Sequence, residues 1–304
     1  MTGTGTQADP FIIDTYDELL TKAAIAETYI EFNNAATTKT IDINNTEYKT
    51  GETGLVIANG VHISGNGWTI RNIYAVSGHS AIQLGSGIEI KGLNLLNITQ
   101  MGANVPLNNN TSNTTYSLFK ECKLSVMKVC GNLAPEFCGG SIKFEDCSLN
   151  LKNCGGFAVR SSGASYSILV RCNVNIDFSL WHNDLMTISE FSNVSDCKFT
   201  GTVKLYSVAA TSYQANNIRF VAADTDLNSS VFCVTFTEEY HGISTGSIFL
   251  LNNGDPTSAC LVDQSLLPET FTISDAHVNV HYLTTSEMKD YDTVVATGFP
   301  CVPA

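Results

Sequence analysis

The sequence predicts an all-β protein, a parallel β-helix whose coils each contain about 25 residues. The first observation is a repeat: four short segments align without gaps, and their cysteines recur every 25 residues, at Cys122, Cys147, Cys172 and Cys197. The second is an alternation of apolar and polar residues within each segment, which is typical of a half-buried strand. The third is the size of the repeat, because a unit of several short strands cannot bury its apolar face alone, whereas stacked copies can.

The repeat also predicts a ladder of inward-facing side chains, one from each coil. Leu93 fits the same template 25 residues after Trp68, and it precedes Cys122 by 29 residues. Equivalent residues of adjacent coils lie about 4.8 Å apart. We therefore expect a core ladder that consists of Trp68, Leu93, Cys122, Cys147, Cys172 and Cys197. Parallel Cβ vectors do not converge to the ~3.8 Å that a disulfide prefers, so we interpret the cysteines as free, small core residues.

Both ends of a stack of coils need capping elements, because an open stack leaves unpaired strand edges. At the N-terminal end, Thr15 and Glu18 have the spacing of a capping box, and the apolar residues that follow predict a helix ending near Glu27. Residues 29–32 and 40–44 alternate and are predicted as the first strands.

The chain is predicted to form one domain, because no Pro- or Ser-rich linker divides residues 1–304. We expect an N-terminal cap with the first strands over residues 1–45 and β-helix coils over residues 46–282. A short C-terminal capping segment would cover residues 283–304. Within that segment, residues 285–296 have the composition of a polar helix.

Two resemblances add to this interpretation. The cap helix, the segment Gly60–Trp68 and the stacked coils resemble the right-handed parallel β-helix (pectin lyase-like) superfamily, over nearly the whole chain. This resemblance implies a single-stranded, right-handed β-helix. The ends of the chain, Gly3–Phe11 and Leu283–Asp290 with Thr297–Pro300, are similar to surface proteins of phages and prophages of gut bacteria. The phage resemblance implies a homotrimer that contacts other virion proteins.

Charge excludes several classes of partner. The formal net charge is −13, and the chain has only four arginines, none of them in a basic cluster. Nucleic-acid binding needs clustered positive charge, so we expect no nucleic-acid partner and no binding to an anionic membrane surface. The first residues show neither a basic nor an apolar segment of a secretory signal, and no apolar run is long enough to span a membrane. Assembly in the host cytoplasm is the expectation.

Candidate catalytic residues are few. Asp177 and Asp184 flank Trp181, and carboxylates beside an aromatic ring suit the hydrolysis of a glycan. The second candidate pair is Glu238 with Glu239. Acidic residues on the bends of a β-helix are ordinarily solvated, so our main expectation is that neither pair is catalytic and that Trp181 is at most a ligand contact.

No metal or cofactor is predicted. Zinc sites use closely spaced cysteines and histidines, and the nearest approaches are Cys130 with Cys138 and His277 with His281. We expect the two histidines to face solvent on one strand, with Val278 and Val280 pointing inward.

The function hypothesis that follows is a non-enzymatic virion protein on the surface of a tailed bacteriophage: a tail spike, head fibre or capsid-decoration protein. Within this hypothesis, carbohydrate binding, that is, whether the protein binds a polysaccharide of the host surface, stays open. A second hypothesis is a carbohydrate-active enzyme, a polysaccharide lyase or glycosidase such as a tailspike-like depolymerase. A bacterial surface adhesin is the third, although it ought to show a signal or an anchor. The sequence does not distinguish a head location from a tail location.

Overall fold

The protein is represented by a computed structural model. It describes residues 1–43, 54–75, 78–101, 105–109, 115–129, 137–152, 167–181, 185–189, 192–206, 217–221, 226–238, 246–249, 256–267, 269, 271–273 and 277–300.

The described residues are predominantly β and form four sheets in which all paired strands are parallel. This architecture is compatible with a parallel β-helix-like fold. Apart from β1 and β2, which follow each other in the chain and pair, each strand pairs with its counterpart in the next repeat. The strands of the nine-stranded sheet are, in spatial order, β1 (Phe11–Ile13), β2 (Tyr29–Phe32), β5 (His62–Ser64), β9 (Glu89–Lys91), β12 (Ser117–Lys120), β15 (Ile142–Glu145), β17 (Ile168–Val170), β20 (Asn193–Ser195) and β23 (Asp226–Asn228).

The second long sheet has eleven strands. From the N-terminal end they are β3 (Thr40–Asp42), β6 (Thr69–Arg71), β10 (Asn94–Met101), β13 (Lys123–Val129), β16 (Ser148–Lys152), β18 (Asn173–Trp181), β21 (Lys198–Tyr206), β24 (Val231–Glu238), β26 (Cys260–Asp263) and β28 (Val280–Leu283), with β7 (Tyr74–Ala75) also paired to β10.

Two shorter sheets have four strands each. One contains β4 (Leu55–Ile57), β8 (Ile82–Leu84), β11 (Leu107–Asn109) and β14 (Cys138–Gly139). The other contains β19 (Leu185–Ser189), β22 (Asn217–Val221), β25 (Gly246–Phe249) and β27 (Phe271–Ile273).

Alternation along each strand decides which side chains enter the core. In β16 the pattern is exposed, buried, exposed, buried, exposed, so Leu149 and Leu151 are buried. Leu149 pairs in register with Leu124 on one side and with Val174 on the other. Apolar side chains therefore stack on apolar side chains from coil to coil, and this continuous burial is the main stabilising contribution to the stack.

A sharp bend joins the nine-stranded sheet to the eleven-stranded sheet in each repeat. At each of these bends one residue has positive φ, and the equivalent residues of successive coils stack on one another. They are Gly92 (φ 64°), Glu121 (55°), Asp146 (55°), Arg171 (50°) and Asp196 (54°). Each lies immediately before a core-ladder position. Because side chains in this conformation project away from the turn into solvent, the bend accepts charged residues while the next residue turns inward.

The N-terminal cap contains the predicted helix, α1 (Tyr16–Ala23), which ends four residues before the predicted Glu27. The capping box is present: the Thr15 hydroxyl accepts a hydrogen bond from the Glu18 amide, and the Glu18 carboxylate accepts one from the Thr15 amide. Leu19 and Ala23 are buried against the first strands.

The C-terminal segment differs from the predicted continuous helix over residues 285–296. A short 3-10 turn at Glu287–Lys289 is followed by the six-residue helix α2 (Tyr291–Ala296). The two are separate because Asp290 is extended, with φ −89° and ψ 111°. No helix among the described residues is long and apolar enough to cross a membrane.

Candidate functional site

Of the sequence-derived catalytic candidates, only Asp177 has a side chain that the structure describes. Asp177 lies on β18 with its side chain 44% exposed, and its carboxylate is 3.8 Å from the Lys152 ammonium of the preceding coil. Trp181 and Glu238 are the last residues of β18 and β24, where only their strand positions are described. Asp184 and Glu239 lie outside the described residues.

The prediction for residues 277–281 was right for Val280, which packs against the core, and wrong for Val278 and His281. Val278 is in a turn and is 79% exposed, so it does not point inward. His281 is on β28, and its Nε2 atom is buried without a hydrogen-bond partner, whereas we expected it to face solvent. Within the described ranges, no group of three or more His, Cys, Asp or Glu side chains is placed to hold a metal ion. Cys130 lies outside those ranges.

The core-ladder residues occupy equivalent positions in successive coils, and all six are at most 3% exposed. The carbonyl of Cys122 accepts a hydrogen bond from Ser148, and that of Cys147 accepts one from Asn173, each at 2.9 Å. The sulfurs of the four cysteines are free thiols, and each donates to the carbonyl two residues earlier at 3.2–3.3 Å.

The ladder extends past Cys197. The Cys197 amide donates to the Ser230 hydroxyl at 3.1 Å, and Ser230 is in turn one coil from Cys260. Burial raises the pKa of the Cys260 thiol to about 11. A thiol in this state is not a nucleophile at neutral pH, so this position is structural.

Charged side chains on the outer surface form ion pairs within and between coils. Glu145 accepts from the Lys143 ammonium at 2.7 Å and from the Lys120 ammonium at 2.9 Å. The Arg171 guanidinium contacts both Glu145, at 2.9 Å, and Asp146, at 2.7 Å. The hydrogen bonds from Lys143 and Lys120 lower the pKa of Glu145 from 4.5 to about 2, and Arg171 lowers the pKa of Asp146.

This charge network predicts a loss of stability in acid. Because the folded pKa of Glu145 lies below its ordinary value, its contribution is present above about pH 4.5 and is lost as the pH falls through about 2. We expect the urea midpoint of the wild type to fall over this range more steeply than that of Glu145→Gln. Glu121→Gln, which removes a carboxylate 3.6 Å from Lys91, serves as the control and should keep the wild-type slope. Identical acid profiles for Glu145→Gln and the wild type would show that the ion pairs of Glu145 contribute nothing.

A groove of about 280 Å³ lies on the outer face of the nine-stranded sheet at its N-terminal end. Two rows of side chains cross strands β2, β5 and β9 in register: Tyr29, His62 and Glu89 form one, and Glu31, Ser64 and Lys91 form the other. The Tyr29 and His62 rings are stacked with centroids 4.5 Å apart and planes 4° apart. His62 Nδ1 lies 3.4 Å from the Glu89 carboxylate.

The wall of the groove at the sheet edge is the N-terminal turn that carries Gln7. The amides of Thr4 and Gly5 donate to the Asp9 carbonyl at 3.1 and 3.0 Å, and the Tyr29 amide donates to the Gly5 carbonyl at 2.9 Å. The turn is therefore hydrogen-bonded both to itself and to β2, so backbone contacts fix the position of this wall of the groove.

Sequence analysis missed this groove. Three triplets in the sequence could have revealed it: Tyr-Ile-Glu, His-Ile-Ser and Glu-Ile-Lys. In each triplet the central isoleucine (Ile30, Ile63 or Ile90) is buried, and both flanking residues face outward. The repeat template used only the buried residues of these strands, so the polar rows beside them were not compared.

Comparisons of the chain with protein-family models, with curated proteins and with solved structures find no match.

Proposed function

We propose that the chain forms a single right-handed β-helix and serves as a non-enzymatic surface protein of a tailed bacteriophage, a spike, fibre or capsid-decoration protein. The observation that supports the proposal is the length and regularity of the parallel stack. One sheet runs through nine strands from Phe11 to Asn228, and its neighbour runs from Thr40 to Leu283. A stack that is held together by the same contacts in each repeat is stiff along its axis, which suits a part that projects from a particle.

The outer charges support a structural role. Acidic side chains such as Glu145 and Asp146 are paired with cations of the same or adjacent coils. Carboxylates used in this way stabilise the stacking of coils and are not free for acid–base chemistry. The resemblance of both chain ends to phage surface proteins points in the same direction.

The proposal includes the partners and the place of assembly. The chain would associate as a homotrimer, contact other virion proteins, and be exposed on the virion surface after assembly in the host cytoplasm. It would need no cofactor.

A carbohydrate-active enzyme remains the second candidate, and the groove is the observation that favours it. Glu31 and Glu89 both line the groove beside the Tyr29 ring. Release of reducing ends or of unsaturated sugars from a polysaccharide panel would establish this alternative.

The first test of the proposal is the native mass together with particle association. We expect light scattering to give three times the 32.8 kDa of one chain. In a lysate of the encoding strain after prophage induction, we expect the chain to sediment with phage particles and antibodies to label their surface. A monomer that stays in the particle-free fraction would overturn the proposal.

A further inference from the structure

We infer that the N-terminal groove binds a saccharide of at least two units that carries hydroxyl or amino groups and no acidic group. The inference deepens the proposed function, since it rests on a particle protein that meets a glycan surface.

Each groove carboxylate is held by one partner and keeps one oxygen available. One Glu31 oxygen accepts from the Asn66 amide at 2.9 Å, and one Glu89 oxygen lies 3.4 Å from His62. Among the described residues, the other oxygen of each carboxylate has no hydrogen bond or ion pair, and neither does the Tyr29 hydroxyl or the Gln7 amide. The groove therefore offers both acceptors and donors with hydrogen-bonding capacity left over, as a ligand rich in hydroxyl groups requires.

The spacing of these groups sets the size of the ligand. Glu31 is on β2 and Glu89 is on β9, with β5 between them. Glu31 and Glu89 are two strand spacings apart across the sheet and two residues apart along the strands, which places their backbones roughly 12 Å apart. A ligand that contacts both carboxylates must be longer than one sugar ring.

The negative charge of the groove favours a neutral or positively charged ligand. The groove has two carboxylates, and its one lysine, Lys91, already faces the Glu121 carboxylate at 3.6 Å. The chain as a whole carries a net charge of −13. An acidic saccharide would meet repulsion both locally and at long range, whereas hydroxyl and ammonium groups would donate to the free carboxylate oxygens.

The geometry disfavours a peptide. Peptides that bind to sheets usually add a strand at an open edge. Strands β2, β5 and β9 are each paired on both sides, so the floor of the groove presents side chains and no free backbone groups.

Calorimetric titration of the full chain with three tetrasaccharides tests the inference: chitosan tetramer (cationic), its fully N-acetylated form (neutral) and tetragalacturonate (anionic). We expect the first two to bind. The anionic one should bind at least about tenfold more weakly than the cationic one, because Glu31 and Glu89 repel its carboxylates but accept hydrogen bonds from ammonium groups. Glu31→Gln and Glu89→Gln should each weaken binding of the cationic probe several-fold. Asp226→Asn, at an exposed carboxylate on the far end of the same sheet, is the matched control and should bind as the wild type does.

Equal binding of all three probes, binding of none, or full binding by Glu31→Gln and Glu89→Gln would overturn the inference. Thermal melts of each variant establish that it is folded. Particle sedimentation is measured separately, so the two proposals fail in different ways. A chain that sediments with particles but binds no probe contradicts the groove alone, whereas a chain that binds the probes but never sediments with particles contradicts the virion role alone.

Discussion

Replacement of Cys147 by aspartate is expected to abolish folding. Cys147 is 2% exposed and lies in the middle of the core ladder. Its thiol donates to the carbonyl oxygens of Glu145 and Phe119, each at 3.3 Å. A carboxylate at this position would face those two oxygens without a proton to donate. Burial of a neutral polar group without compensating hydrogen bonds already costs roughly 2–7 kcal/mol, and an unpaired carboxylate costs more. This penalty is comparable with the whole stability of a typical domain.

Two matched variants make this result interpretable. Asn150→Asp places the same group on the exposed face of the adjacent strand β16, where it should leave the yield and the melting temperature nearly unchanged. Cys147→Ser keeps a donor for the two carbonyls and should reduce stability only modestly. Soluble expression followed by circular dichroism gives the measurement. A Cys147→Asp protein with wild-type yield and melting behaviour would show that the side chain is not buried between coils.

The sequence predicted those parts of the fold that repeat. The spacing of Cys122, Cys147, Cys172 and Cys197 identified equivalent positions, and alternation on either side identified short strands that the structure places in long parallel sheets. The alternating pattern predicts these strands correctly because each strand buries only one face. The residues of the strand themselves therefore determine which side chains point into the core. The helix after Thr15 was predictable for a similar reason, since the capping box is local.

The groove and the C-terminal end depend on information that is not local. The Tyr29–His62 stack requires two strands separated by about 30 residues in sequence to pair in one register. At the other end, the extended conformation of Asp290 divides a segment whose composition suggested one helix. Val278 alternates with Val280 as in a strand, but it falls in the turn that precedes β28. An alternating pattern over only three residues does not distinguish a strand from a turn.

Replacement of Gly201 by alanine is expected to destabilise the C-terminal half of the stack. Gly201 is inside β21, pairs with Ile176 of β18, and has φ +111°, which an L-residue rarely adopts. A Cβ atom there would lie 2.0 Å from the carbonyl oxygen of Ile176. That oxygen belongs to the backbone of a neighbouring strand and cannot rotate away, so β18 and β21 would have to separate. Strain and overlap together predict a loss of about 2–6 kcal/mol, measured as a fall in the urea midpoint.

Gly67→Ala distinguishes the two causes of that loss. Gly67 also has positive φ, at +78°, but a Cβ atom built there has no neighbour within 4 Å. Gly67→Ala therefore carries the conformational cost of a positive φ, roughly 1–2 kcal/mol, without an overlap between strands. We expect Gly201→Ala to be clearly the more destabilising of the two. Equal losses in both variants would mean that the backbone conformation alone is responsible, and that β18 and β21 are not packed as closely as their register requires.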